Sequence, residues 1–421
     1  MVKMEITALG AARQVGRSAF LLKGKRTNVL LDFGVLMARE PVFPIHVQPK
    51  DVDAILLSHA HLDHSGATPS FYLSEGVNLY TTPASAEFAK LLIEDFIKIS
   101  GFYLPFEYID LMTMFKKTHY VDLYEVFQIG EFTVQFLDAG HIPGSASMVI
   151  EADGKRLLYT GDMNGADTML LNGADTNFGE LDAVITESTY ALSDHTPRQQ
   201  VESEFVEYAR AVVEGGGTLL VPAFSVGRAQ EIACVLRNAN FPYPVAMDGM
   251  ALKANEILMR HQDYLKDPKF FRRTLENVEM MKSWEERKEM VKTPSVIIAP
   301  AGMLVGGLSV FYSEKIALDN RNGVAIVAFQ IPGTPGRTLL EKGLTLVRGR
   351  PKKVKAQVKR FDFSSHSGRK ELFDMLKAVK GNPKVMTVHG EEEHCTKFAK
   401  EVKQEFGFDA MAPAAGDVMK I

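Results

Sequence analysis

The chain is poor in thiols: among its 421 residues only Cys234 and Cys395 carry one. Two distant cysteines make neither a disulfide framework nor a thiolate metal cluster, and such usage fits a reducing cytoplasm. Any metal site must therefore use His, Asp and Glu. No apolar run approaches the roughly 18 residues of a membrane span. No charged start followed by a long apolar stretch marks a leader. These absences lead us to expect a cytoplasmic protein with no membrane partner. Strong charge is missing as well: a net −4 sets up no global basic field for nucleic acid, although a local patch can still bind phosphates. There is no internal repeat, low-complexity tract or long Pro/Ser linker. The remaining composition, 46% hydrophobic and 24% charged, allows a large core. The length suits two or three domains, or one domain with a large insertion.

The most informative stretch is residues 57–66, Leu-Ser-His-Ala-His-Leu-Asp-His-Ser-Gly. His59, His61, Asp63 and His64 follow an apolar run, Asp53–Leu57, that reads as a buried strand. Residues two apart in extended chain point the same way, so His59 and His61 can share one metal. Asp63 and His64, beyond the turn, can reach a second. Imidazole with carboxylate and no thiolate suits a hydrolytic Zn²⁺ pair better than Mn²⁺.

Two metals need more ligands, and later strand ends offer them. His141 sits on a Gly-flanked turn after Phe136-Leu-Asp-Ala-Gly140. Asp162 closes Leu157-Leu-Tyr-Thr-Gly, and its two oxygens can bridge two cations. His389 ends Val385-Met-Thr-Val. His366 lies among small polar residues, where a titrating side chain can face a phosphate. Asp32 is placed to orient a ligating His, and Glu187 to hold His366 in its useful protonation state. Each has a bland alternative: a structural histidine for His141, a turn residue or helix cap for Asp162.

The first third reads as β-rich, with a helix over 84–100. From about 198 the pattern becomes strand–helix alternation, as in a small parallel-sheet domain. Residues 262–292, with Trp284, read as a charged helical flank. Beyond about 345 come a strand over 353–358, a helix over 369–379, a strand over 384–388 and a helix from 394 to 406.

On these residues the chain resembles the metallo-β-lactamase superfamily. His59-x-His61-x-Asp63-His64 matches its motif, and Asp32, His141 and Asp162 match further positions in order. Glu187-Ser-Thr-Tyr190, Phe363-Ser-Ser-His366 and Val388-His389-Gly-Glu-Glu392 resemble the extra motifs of its β-CASP nucleases. So do Pro222–Glu231, Gly302–Gly307 and Phe329–Arg337. The chain is most similar to short archaeal and bacterial homologues of the cleavage and polyadenylation specificity factor endonuclease subunit, and related to ribonuclease J. The resemblance implies an α/β fold: an αββα sandwich over 1–195 and 346–421, with a β-CASP domain inserted over 196–345.

It also implies a zinc-dependent ribonuclease with two Zn²⁺ per chain and RNA as substrate. His59, His61, His141 and Asp162 would hold one ion; Asp63, His64, His389 and the shared Asp162 the other. The implied catalytic set is His366 as general acid, Glu187, Asp32 and Asp63. Arg228, Ser364, Ser365, Gly302, Arg348 and Arg350 are candidate RNA or phosphate contacts. Arg228 reads equally well as a structural helix-start residue. Residues 337–360 hold nine Lys or Arg against one acid, Glu341, either a phosphate track or a solvated hairpin edge. A homodimer is one candidate assembly. Two rival readings are a small-molecule hydrolase of the same superfamily and a non-catalytic RNA-binding scaffold.

Overall fold

A computed structural model describes residues 4–38, 40–74 and 76–421. It divides into two compact units. The first comprises Met1–Asp167, Gly173–Asp194 and Ser365–Ile421; the second comprises Thr168–Asn172 and His195–Ser364.

Two seven-stranded sheets form the first unit. In spatial order one runs Val418–Lys420, Glu5–Ala8, Phe20–Lys23, Asn28–Leu31, Ala54–Leu56, Asn78–Thr81 and Thr118–Tyr120. The other runs Asp409–Met411, Lys384–Val388, Ala183–Glu187, Lys155–Tyr159, Ala146–Ala152, Phe132–Asp138 and Val126–Ile129. Alternation with period two sorts their side chains. Ile6, Phe20, Leu22 and Leu31 of one sheet meet Val134, Phe136, Met148, Ile150, Tyr159 and Ile185 of the other in a dry inner core. Leu158, Val184 and Val385 face outward instead, against Leu372, Leu376, Phe398 and Val402. Those four lie on the helices Arg369–Ala378 and Glu392–Phe406. The strand Ala183–Glu187 pairs in parallel with Lys384–Val388, so Glu187 lies opposite Val388 and beside the start of the His389 turn.

The second unit carries a six-stranded sheet, ordered Glu279–Met280, Val245–Met247, Ser295–Ala299, Thr218–Pro222, Gly323–Ile326 and Gln357–Arg360. Every pairing in it is parallel. Such strands are buried on both faces and read as unbroken apolar runs. Leu219 and Val221 pack toward the helices Arg198–Glu214 and Arg228–Asn238. Leu220 packs on the other side with Tyr312 and Ile316 of the helix Gly307–Ile316 and Leu339 of Pro335–Lys342.

Three expectations shift. The second unit does not end at 345 but runs to Ser364, because Gln357–Arg360 pairs with Gly323–Ile326 and completes its sheet. The strand expected over 353–358 is two strands, Arg350–Lys353 in a hairpin and Gln357–Arg360 in that sheet. The helical flank over 262–292 is interrupted: Pro268–Leu275 and Trp284–Met290 are helices, with the short strand Glu279–Met280 between them. Ser283 and Glu286 form a reciprocal cap that starts the second helix afresh.

Candidate metal centre

Every ligand expected from the sequence lies in the first unit, at or just beyond a strand end. The strand Ala54–Leu56 delivers Ser58 and His59, and His61 immediately precedes the single turn Leu62–Ser65 that carries Asp63 and His64. Asp162 follows Lys155–Tyr159, and His389 follows Lys384–Val388. Asp32 and His389 both adopt left-handed backbone, with φ of 55° and 49°. Such strain is retained where the surroundings demand it.

Three donor groups share Asp162: one is Asp162 with Glu187 and His366, and the other two carry the expected ligands. His59, His61, His141 and Asp162 each offer an atom within 4.8 Å of the others. So do Asp63, His64, His389 and Asp162. Asp162 Oδ2 lies 3.7 Å from both His59 Nε2 and His141 Nε2. Its Oδ1 lies 3.2 Å from His64 Nε2 and 3.3 Å from His389 Nδ1. One carboxylate thus turns an oxygen to each of these two ligand groups.

The packing of donors fits cations. His61 Nδ1 is 3.2 Å from His59 Nε2 and 3.1 Å from His141 Nε2, so imidazole nitrogens crowd one point. Burial first, then the neighbouring histidines, push His59 well below the usual imidazole range. Burial, then His366, does the same to His141, and burial takes His61 to about 4. These three neutral imidazoles offer lone pairs, as metal ligands must, whereas His64, against burial, is pushed well above the usual range by the Asp162 and Asp32 carboxylates. Asp162 Oδ1 is a buried acceptor outside the hydrogen-bond network, facing His64 Nε2 at 3.2 Å. Burial opposes ionisation of Asp162, but His389 and His64 overcome it and keep the carboxyl well below its usual range. Asp63 is likewise held low, against burial, by His389, whose Nε2 is 3.2 Å from Asp63 Oδ2.

A second layer of bonds orients these ligands. Asp32 Oδ2 is 2.7 Å from His64 Nδ1, which leaves Nε2 facing the donor group. The Asp32 carboxylate also accepts from the Ser58 amide at 2.7 Å, the Ser58 hydroxyl at 2.6 Å and the Tyr159 hydroxyl at 2.6 Å. His141 Nδ1 lies 2.7 Å from the Ser365 carbonyl oxygen. His366 Nδ1 is 3.0 Å from Glu187 Oε2, and Glu187 Oε1 accepts the Met163 amide at 2.8 Å. Burial alone would lower His366, but the Glu187 and Asp162 carboxylates outweigh it and raise it to about 9.

Sequence reasoning missed Ser58 and Tyr159, both fully buried at this network, and Ser18, whose hydroxyl is 3.2 Å from His64 Nε2. Ser58 had a weak signal in its place just before His59; a tyrosine inside an apolar strand had none.

Of the expected RNA contacts, Ser365 lies in the first unit. Ser365 contributes its main-chain carbonyl to His141. The other five fall in the second unit. Arg228 is buried at the start of its helix and donates to the Val327 carbonyl at 2.9 Å, which favours its structural reading. Ser364 gives its carbonyl to Arg198. Gly302 sits so close to Ala328 and Phe224 that a Cβ would meet them at 3.1 and 3.2 Å. Arg348 and Arg350 are exposed on the hairpin.

Two sheets face to face with a shared-carboxylate His/Asp cluster at their strand ends define a metallo-hydrolase fold, and comparison with known proteins agrees. Family models match residues 12–204 (metallo-beta-lactamase superfamily), 229–339 (Beta-Casp domain) and 351–413 (Zn-dependent metallo-hydrolase RNA specificity domain). The RNase aCSPSF2 of Saccharolobus solfataricus is 37% identical over 98% of this chain and 84% of its own length. The transcription termination factor FttA of Pyrococcus abyssi is 33% identical over 99% of this chain and 71% of its own. A crystal structure of a protein of unknown function from Enterococcus faecalis shares the fold, with a TM-score of 0.67 at 15% identity and complete coverage of both chains. The chain belongs to the β-CASP family of the metallo-β-lactamase superfamily.

Proposed function

We propose that the chain is a ribonuclease that hydrolyses RNA phosphodiester bonds with two Zn²⁺ ions, in cytoplasmic RNA processing or decay. The observation that carries this reading is the pair of donor groups sharing Asp162, with the His366–Glu187 pair beside it. Nitrogen and oxygen donors without thiolate favour zinc among hydrolytic metals. The similarity to an RNase and the match to an RNA specificity domain favour RNA over a small molecule. Two buried, unpaired cysteines suit a reducing compartment. Among the described residues no helix is long and apolar enough to cross a membrane.

When bound, such an ion pair acidifies a water and offsets charge gathering on the phosphoryl oxygens. The chain's own groups do the rest. Asp162 spaces the two donor groups, and Asp32 fixes the ring of His64. As water oxygen joins phosphorus and the bond to the leaving ribose oxygen breaks, His366 gives that oxygen its proton. Glu187 keeps His366 protonated at neutral pH and aims it.

Product mapping tests the reading. End-labelled RNAs with 5′-triphosphate, monophosphate or hydroxyl termini are incubated with and without chelator, beside a β-lactam and a thioester. The expected outcome is chelator-sensitive RNA cleavage and inert small molecules. Mononucleotides from monophosphate ends alone would mark a 5′→3′ exonuclease; internal fragments whatever the end would mark an endonuclease. Intact RNA with a hydrolysed thioester or β-lactam would overturn the proposal.

A further inference from the structure

We propose that the hairpin Leu344–Val347/Arg350–Lys353 in the second unit is a docking surface for the phosphate backbone of single-stranded RNA, distinct from the metal centre. The inference rests on the ribonuclease reading and adds to it a substrate-holding element.

Charge comes first. Of nine Lys or Arg between 337 and 360, Arg337 is paired with the segment's one acid, Glu341, at 2.6 Å. From 342 to 360 eight cations remain with no acid in the sequence. Among the described residues no carboxylate forms an ion pair with Arg348, Arg350, Lys352 or Lys353. A chain of net −4 has gathered one sign of charge on one hairpin. The complement of such a surface is a polyanion.

The hairpin is held rather than loose. Its two-residue turn, Arg348-Gly349, has φ of 50° and 73°, the left-handed pair of a type I′ turn. Asn or Gly would satisfy that turn without strain, so turn chemistry does not explain arginine at its tip. The Arg348 amide donates to Glu314 Oε1 at 2.8 Å, and the Thr345 and Ser313 hydroxyls meet at 3.0 Å. Both anchors lie on the helix Gly307–Ile316. Glu314 is thereby engaged with backbone while the Arg348 side chain stays exposed. The register sets Lys352 opposite Thr345 and Arg350 opposite Val347, with Lys353 opposite Leu344, so both faces of the ribbon carry cations.

The occupant is not an added strand. Pro351 stands mid-strand with no amide to give, and its neighbours on the strand are cationic, which blocks edge pairing. Side-chain charge is what this edge offers, and phosphates accept it irrespective of base.

The test measures affinity for an unstructured RNA against salt, in a His366→Ala background that slows cleavage. Wild-type hairpin is compared with R348N/R350Q/K352Q/K353Q, where Asn preserves the turn, and with the charge-conserving R348K/R350K. Circular dichroism and melting temperature check the fold. For the neutral variant, the slope of log K on log[salt] should flatten by about 0.7 for each phosphate no longer neutralised, and the lysine variant should keep the wild-type slope. An unchanged slope in the neutral variant, with RNA still bound, overturns the hairpin role and leaves the ribonuclease reading standing. No RNA binding by either form overturns both. Loss of poly-glutamate binding with RNA affinity unchanged would assign the surface to an acidic protein instead.

Discussion

Asp32 is a fully buried carboxylate whose oxygens are satisfied by Ser58, Tyr159 and His64. Asp32→Asn puts an NH₂ group among donors and frees the His64 ring. We expect a 10- to 100-fold loss of metal affinity, on the order seen when groups that orient ligands are removed. A competitive chelator titration reads it, and unaltered affinity would remove Asp32 from its role. His366→Ala should lower kcat on the order of 10²–10⁴-fold while leaving metal content intact. Glu187→Gln bears on the same proton. Carboxylate charge raises His366 to about 9, so removing it moves the histidine down toward its ordinary value. The protonated acid is then lost at lower pH, and the alkaline limb of the kcat profile should shift to lower pH. A limb that stays in place would show that His366 does not set it. At this scale the ligands were legible because strand ends bearing His and Asp are chemically conspicuous. Tyr159 was not, since an aromatic inside an apolar strand reads as core. Only its partner, 127 residues away, gives it a polar task.

Elements place these residues through close approaches that tolerate little change. Gly34 is one: a Cβ there would lie 1.8 Å from the Asp63 carbonyl oxygen and 2.4 Å from the His64 amide. Gly34→Ala should therefore cost about 1–3 kcal/mol of overpacking and displace two ligands together. Melting temperature and metal content report the two effects; a variant normal in both would contradict the packing. A turn elsewhere in this unit depends on pH. Glu131 accepts the Arg26 and Thr27 amides and the Thr27 hydroxyl. Against the effect of burial, these bonds hold its carboxyl down at about 2. A depressed carboxylate stabilises above its unfolded value and loses that contribution as pH falls through the folded one. Urea midpoints should accordingly drop between about pH 4.5 and pH 2, and Glu131→Gln should flatten that part of the curve. The strand–helix alternation beyond about 198 was plain in the sequence, and Ser295–Ala299 and Arg228–Asn238 belong to it. Gln357–Arg360 was not, because a polar edge strand is recognised only by its pairing with Gly323–Ile326.

For the whole molecule, the metal centre draws on strand ends of both sheets in the first unit, from Asp32 near the start to His389 near the end. Its ligands come together only after the chain has left for the second unit and returned. Order along the chain was visible in the sequence; the return point was not, since it depends on which sheet claims residues 357–360. Ion binding to the native cluster alone should stabilise the fold, by about 2.7 kcal/mol at free metal a hundredfold above Kd. The most direct measurement counts zinc and follows RNA cleavage in the same samples of wild type and Asp162→Asn. The wild type should hold about two ions and cleave RNA in a chelator-sensitive way, as a two-metal hydrolase does. The variant should hold at most about one ion and show no detectable cleavage, because one carboxylate serves both ligand groups. Full zinc content with undiminished cleavage after that substitution would contradict this two-metal reading.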